Sequence, residues 1–113
     1  MEVTGVDYYF ETNYPRNEFQ IYFRNMISII WSVHYEVEAV DEDSDSINYF
    51  YAKDKNMFDA MDDYGFHLDE NGEGAFLLML GKNGVTIVLP DMIDNNEFCK
   101  KIYDIVTQFL NMP

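Results

Sequence analysis

The sequence predicts an α+β fold: an antiparallel sheet of four to five strands packed with about three helices. Three observations carry that expectation. Two segments repeat apolar residues at helical spacing, Phe19, Phe23, Met26, Ile27 and Ile30 in one, and Phe98, Ile102, Ile105, Val106 and Phe109 in the other. Between them, from Trp31 to Ala39, the period switches to two. Two turn signals, DEDSDS at 41–46 and Asn83-Gly84, each join a pair of strand-like runs.

Taken in order, residues 3–14 are open to two readings. Tyr8, Tyr9 and Phe10 form either a short edge strand or an arm laid on the core. Pro15 suits a first helical turn, so helix 1 is expected over Pro15–Ile30. Trp31, Val33, Tyr35, Val37 and Ala39 then alternate with polar residues, and Ile47–Lys53 returns after the acidic turn. If Val40 pairs with Ile47, Val37 lies opposite Phe50 and Tyr35 opposite Ala52. Glu38 then lies opposite Tyr49, and Glu36 opposite Tyr51. Burying the valines gives Tyr35, Val37 and Phe50 an inner face. It gives Glu36, Glu38, Tyr49 and Tyr51 an outer one, and places His34 there too.

Asp54 can cap a second helix whose Met57, Phe58 and Met61 face inward and which Gly65 ends. Residues 66–74 read as a loop. The runs Ala75–Leu80 and Val85–Leu89 are apolar at nearly every position, the pattern of strands covered on both faces. Asp94 and Glu97 make a capping box, with Ile93 and Phe98 as a staple, so helix 3 is expected to run to about Leu110.

A chain of 113 residues is expected to fold as a single domain, residues 1–113. Apolar residues make up 48% and aromatic ones 17%, which excludes disorder in spite of the charge. Cys99 is the only cysteine, so no disulfide can form within the chain. No basic, apolar leader opens the sequence, and no apolar run could cross a bilayer, so the expected location is cytoplasmic.

Motifs for chemistry are weak. Asp69, Asn71, Glu73 and Gly74 match half of a calcium loop, but its twelfth position is Leu80. Asp41, Asp43 and Asp45 share the spacing, with Ser46 where glycine belongs and Ala52 where glutamate belongs. His34 and His67 lack a ligand spacing, and Cys99, although followed by Lys100 and Lys101, sits beside the apolar stripe of helix 3, at a core edge. The glycines form no phosphate loop. The expectation is a protein that is not an enzyme and has no metal or cofactor.

Charge is the positive signal. Seven basic residues face twenty-one acidic ones, a formal net charge of −14. Direct binding to nucleic acid or an anionic membrane is disfavoured by sign. Two stretches, Asn25–Ala52 and Asn56–Gly81, hold no Lys or Arg. The first contains Glu36, Glu38, Asp41, Glu42, Asp43 and Asp45; the second contains Asp59, Asp62, Asp63, Asp69, Glu70 and Glu73. With Tyr49 and Tyr51, these acids form the candidate surface for a basic protein partner.

In size, charge and α+β pattern the whole chain resembles the small acidic immunity proteins of bacterial toxin systems, including those of contact-dependent growth inhibition. The hairpin Glu36–Tyr51 and the segment Asp59–Glu73 carry the resemblance, and no motif does. It implies a cognate toxin, often a nuclease, neutralised one-to-one by a monomer in the cytoplasm. A nucleic-acid mimic of phage origin and a generic acidic protein-binding domain are the alternatives.

Overall fold

A computed structural model describes residues 2–59, 65–67, 73–90 and 97–111. The predicted α+β class holds: an antiparallel sheet with three helices. The sheet contains β1 (Glu2–Glu11), β2 (Tyr35–Asp41), β3 (Ser46–Ala52), β4 (Gly65–His67), β5 (Phe76–Leu80) and β6 (Gly84–Pro90). The strands lie in the order β2-β3-β5-β6-β1-β4. The helices are α1 (Arg16–Ile30), α2 (Lys55–Asp59) and α3 (Glu97–Leu110).

Five strands, β2-β3-β5-β6-β1, form the main sheet as expected, and β4 is added at its end because β1 is longer than Tyr8–Phe10. Its first residues, Glu2–Thr4, pair with Gly65–His67, which turns part of a predicted loop into the short strand β4. The rest of β1, Gly5–Glu11, pairs with β6. Gly65 therefore starts a strand rather than ending a helix. Helix α2 does start as expected: Asp54 Oδ1 accepts from the Met57 backbone N–H at 2.9 Å. Met61, Asp94 and Ile93 lie outside the described residues.

Helices α1 and α3 cover one face of the sheet. Phe19, Phe23 and Ile27 of α1 and Phe98, Cys99, Ile102, Ile105 and Val106 of α3 are buried there with Tyr49, Tyr51, Phe76, Leu78 and Ile87. Register explains the membership. Tyr49, Leu78, Ile87 and Tyr8 form one continuous row across four strands, so all point to the same side. The opposite side carries a smaller cluster, Ala52, Ala75, Leu77 and Val88, against which Met57 and Phe58 of α2 pack. Strands β5 and β6 are thus apolar at nearly every position because both of their faces meet a core, as their sequence predicts.

Gly84 shows why a small residue sits at the start of β6. A Cβ there would come within 2.5–2.7 Å of the ring tip of Tyr9, which lies over the glycine although Tyr9 is largely exposed. The pairing Tyr9↔Thr86 makes Gly84 the diagonal neighbour that an aromatic ring covers. Gly84→Ala is therefore expected to cost about 1 kcal/mol, less than a core clash, because the Tyr9 ring can swing away. In the Tyr9→Ala background the same substitution should cost no more than about 0.5 kcal/mol. Urea unfolding of the four proteins measures the coupling.

Candidate functional site

The β2–β3 hairpin is the element on which the candidate surface stands. Its pairing is the one the sequence predicts: Tyr35↔Ala52, Glu36↔Tyr51, Val37↔Phe50, Glu38↔Tyr49 and Val40↔Ile47. Its facing is the reverse of the one predicted. Tyr49 is 4% exposed and Tyr51 0%, both under helix α1, whereas Tyr35 (43%) and Val37 (39%) lie open. Tyr49 and Tyr51 therefore belong to the core and not to an outer surface.

The cause is tertiary. Strand β3 lies inside the sheet, and Tyr49 and Tyr51 line up with Leu78 and Phe76 of β5, which the helices bury. Strand β2 lies at the edge, beyond the full cover of α1. Glu36 and Glu38 point to the helix side, where a cation meets Glu36. Arg24 Nε of α1 lies 2.9 and 3.2 Å from the two oxygens of Glu36. Glu36 is thus half-buried and paired, not a bare interface charge.

The tyrosine hydroxyls face these acids. Burial first, then the Glu38 carboxylate, pushes Tyr49 up to about 12. Burial and then Glu36 push Tyr51 further in the same direction. Tyr14, which donates to the Gly81 carbonyl at 2.9 Å, is pushed up to about 12, chiefly by burial. Each folded value lies above the ordinary value of 10, so the unfolded chain loses these protons first. Stability from this source is complete below pH 10 and is lost as the pH rises towards 12. Absorbance at 295 nm should accordingly show these tyrosines ionising together with unfolding. Their ionisation near pH 10 in an intact fold would contradict the burial.

The turn itself is built to hold acids outward. Asp41 Oδ1 accepts from the backbone N–H groups of Asp43 (3.1 Å) and Ser44 (3.3 Å), the Asx pattern. The Ser44 hydroxyl, then the two backbone N–H groups, hold the Asp41 carboxyl below the usual range. Asp45 closes the turn in the left-handed region, φ 53°, which aspartate tolerates better than most residues. Arg16 at the start of α1 pins it, Nη1 donating to the Asp45 carbonyl at 2.7 Å and Nη2 lying 3.5 Å from its carboxylate. Glu38, Asp41, Glu42 and Asp43 are left exposed, beside Val40 at 61%.

The second acidic block divides differently. Asp59 is exposed and paired with Lys55 one helical turn back, at 2.8 Å. Glu73 is half-buried and clamped, accepting from Trp31 Nε1 at 3.1 Å and from Lys53 Nζ at 3.0 Å. It holds the end of α1 to β3 and is a structural carboxylate. Asp62, Asp63, Asp69 and Glu70 lie outside the described residues.

The remaining chemical candidates are placed as follows. His34 is half-buried, not on an open strand face, and its Nδ1 lies 2.9 Å from the Trp31 carbonyl, to which it donates. His67 lies in β4. Cys99 is buried on α3, and burial pushes its thiol up to about 11, away from the reactive thiolate. Among the described residues, no three of His, Cys, Asp and Glu stand together as metal ligands. No helix among them is long and apolar enough to cross a membrane.

Four residues of this surface are not among those the sequence singles out for it: Arg16, Arg24, and the exposed Val37 and Val40. The arginines act on acids 29 and 12 residues away, a separation without local signature. The valines carry a strand pattern that serves equally well for a core. Compared with known proteins, the chain matches no family model, no curated protein and no solved structure.

Proposed function

We propose that this protein is an immunity protein that neutralises a basic toxin, a nuclease by class, in the cytoplasm. The observation that carries the reading is the tip of the β2–β3 hairpin. There Glu38, Asp41, Glu42 and Asp43 stand exposed around Val40, on a turn fixed by its own Asx bonds and by Arg16. A nuclease cleft is cationic because it holds phosphates. A rigid loop of carboxylates can occupy such a cleft where phosphates would lie, and an exposed valine among them supplies the apolar contact that charge alone lacks.

The mode of action is occlusion: the carboxylates compete for the cations that would bind the substrate, and no bond is made or broken. A net charge of −14 speeds the encounter and makes its rate fall with salt. The protein would act as a monomer in one-to-one stoichiometry.

The test is inhibition of a toxin nuclease encoded beside this chain. Added in equimolar amount, the protein is expected to abolish cleavage of DNA or RNA. Raising salt from 50 to 500 mM should slow association by about tenfold or more. Full nuclease activity in the presence of excess protein, with no complex by calorimetry at either salt, would sink the reading.

A further inference from the structure

The outer edge of β2 bears on how such a partner is held. Among the described residues β2 pairs only with β3, through seven consecutive residues without a bulge. Every residue of it except Glu36 is exposed. Edge strands are ordinarily protected from pairing by proline, charged side chains, inward-pointing charges, a bulge or very short length. Strand β2, YEVEAVD, is seven residues long and has no proline and no bulge. Its only protection is negative charge, with Glu36 turned inward to Arg24 and Glu38 exposed, which repels an acidic strand but not a cationic one. One row of peptide N–H and C=O groups therefore faces outward along the strand, at the same edge as the acidic turn.

The side chains flanking this edge define what could join it. Tyr35, Val37 and Ala39 alternate on one side of the sheet, and Glu36, Glu38 and Val40 on the other. A second copy of the chain is a poor occupant. Antiparallel pairing of two β2 strands would bring Glu36 and Glu38 of both copies into one row and join two bodies of charge −14. A cationic strand meets the opposite situation. Alternating basic and apolar residues would set lysines or arginines beside Glu38 and apolar side chains beside Val37 and Ala39.

We infer that β2 is a strand-addition site: an extended segment of the partner, alternating basic and apolar residues, pairs with the open edge of β2 as an additional strand of the sheet. The inference takes the sign of its partner from the proposed function and adds the mode of recognition. Main-chain hydrogen bonds hold the segment, and the carboxylates of β2 and the turn select for its charge.

The test needs no toxin. The probe is a seven-residue peptide alternating lysine and valine, blocked at both ends, added to the isotopically labelled full chain. Its control is the same peptide N-methylated at every second amide along one edge, in both registers. The native peptide is expected to slow hydrogen exchange of alternate backbone amides within Tyr35–Asp41 by about tenfold or more. Methylation in one of the two registers should weaken binding by at least about tenfold, since it removes the edge hydrogen bonds and leaves the charge unchanged.

Several results would overturn the inference. One is equal binding by both N-methylated peptides, or no binding, which would make the attraction purely electrostatic or absent. Another is amide protection elsewhere than β2. A third is protection of β2 without peptide together with a dimeric mass, which would assign the edge to a second copy. A toxin complex in which β2 amides exchange freely would also remove the strand-addition site while leaving immunity intact. Conversely, peptide addition at β2 with an uninhibited toxin would leave this site standing and remove the immunity reading.

Discussion

Phe76→Ala is expected to lower the unfolding free energy by about 3–5 kcal/mol, the range for emptying a buried aromatic position. Phe76 is fully buried on the helix face of β5. Its ring lies 5.1 Å from that of Tyr51 and 6.0–6.1 Å from those of Phe23, Trp31 and Phe98. It therefore touches α1, the residue that ends α1, β3 and α3 at once, and Trp31 stacks on Phe98 at 4.7 Å beside it. Removing the ring opens a cavity whose walls belong to three other elements, so no single side chain can fall in to fill it. Domains of this size are stable by about 5–15 kcal/mol, so the loss is a large fraction of the total. Urea unfolding followed by tryptophan fluorescence measures it, with Tyr9→Ala as the exposed aromatic control. A loss below about 1 kcal/mol would contradict this account of the core.

The helices were legible because their periodicity is local. Phe19, Phe23 and Ile27 repeat every fourth residue, and the same residues are buried on α1. The hairpin register was legible because pairing one residue across the turn fixes every other pair along both strands. Which side of that hairpin faces the core was not legible. In β3 both alternating rows are rich in apolar surface: Ile47, Tyr49 and Tyr51 in one, Phe50 and Ala52 in the other. Strand β2 then misleads, because the ordinary preference for burying valine over glutamate applies to a strand with a core behind it. As an edge strand beside Arg24, β2 is stabilised better with Glu36 turned towards the helix, and its valines are left in the open. The sequence also divides the acids by position along the chain, whereas the fold divides them by employment. Glu36, Asp45 and Glu73 are tied to cations that the fold brings from other elements, and Glu38, Asp41, Glu42 and Asp43 remain outward.

That division decides which charges a binding experiment should reverse. Glu42→Lys with Asp43→Lys is expected to weaken binding of the basic toxin by about a hundredfold or more, through like charges set against a cationic cleft. The fold should survive within about 0.5 kcal/mol, because both side chains are exposed. The Asx turn also survives, since Asp43 contributes its backbone N–H and not its carboxylate to Asp41. Reversing Glu36 would confuse the measurement. Glu36→Lys sets a second cation against Arg24, 2.9 Å from where the carboxylate now lies and across the strand pair from the buried Tyr51, so it should destabilise the hairpin by about 1 kcal/mol or more. Calorimetry of the double variant, with circular dichroism to verify the fold, separates the two effects. An unchanged Kd in a folded Glu42→Lys, Asp43→Lys protein would remove the hairpin tip from the interface and leave the exposed Asp59 region as the surface to probe.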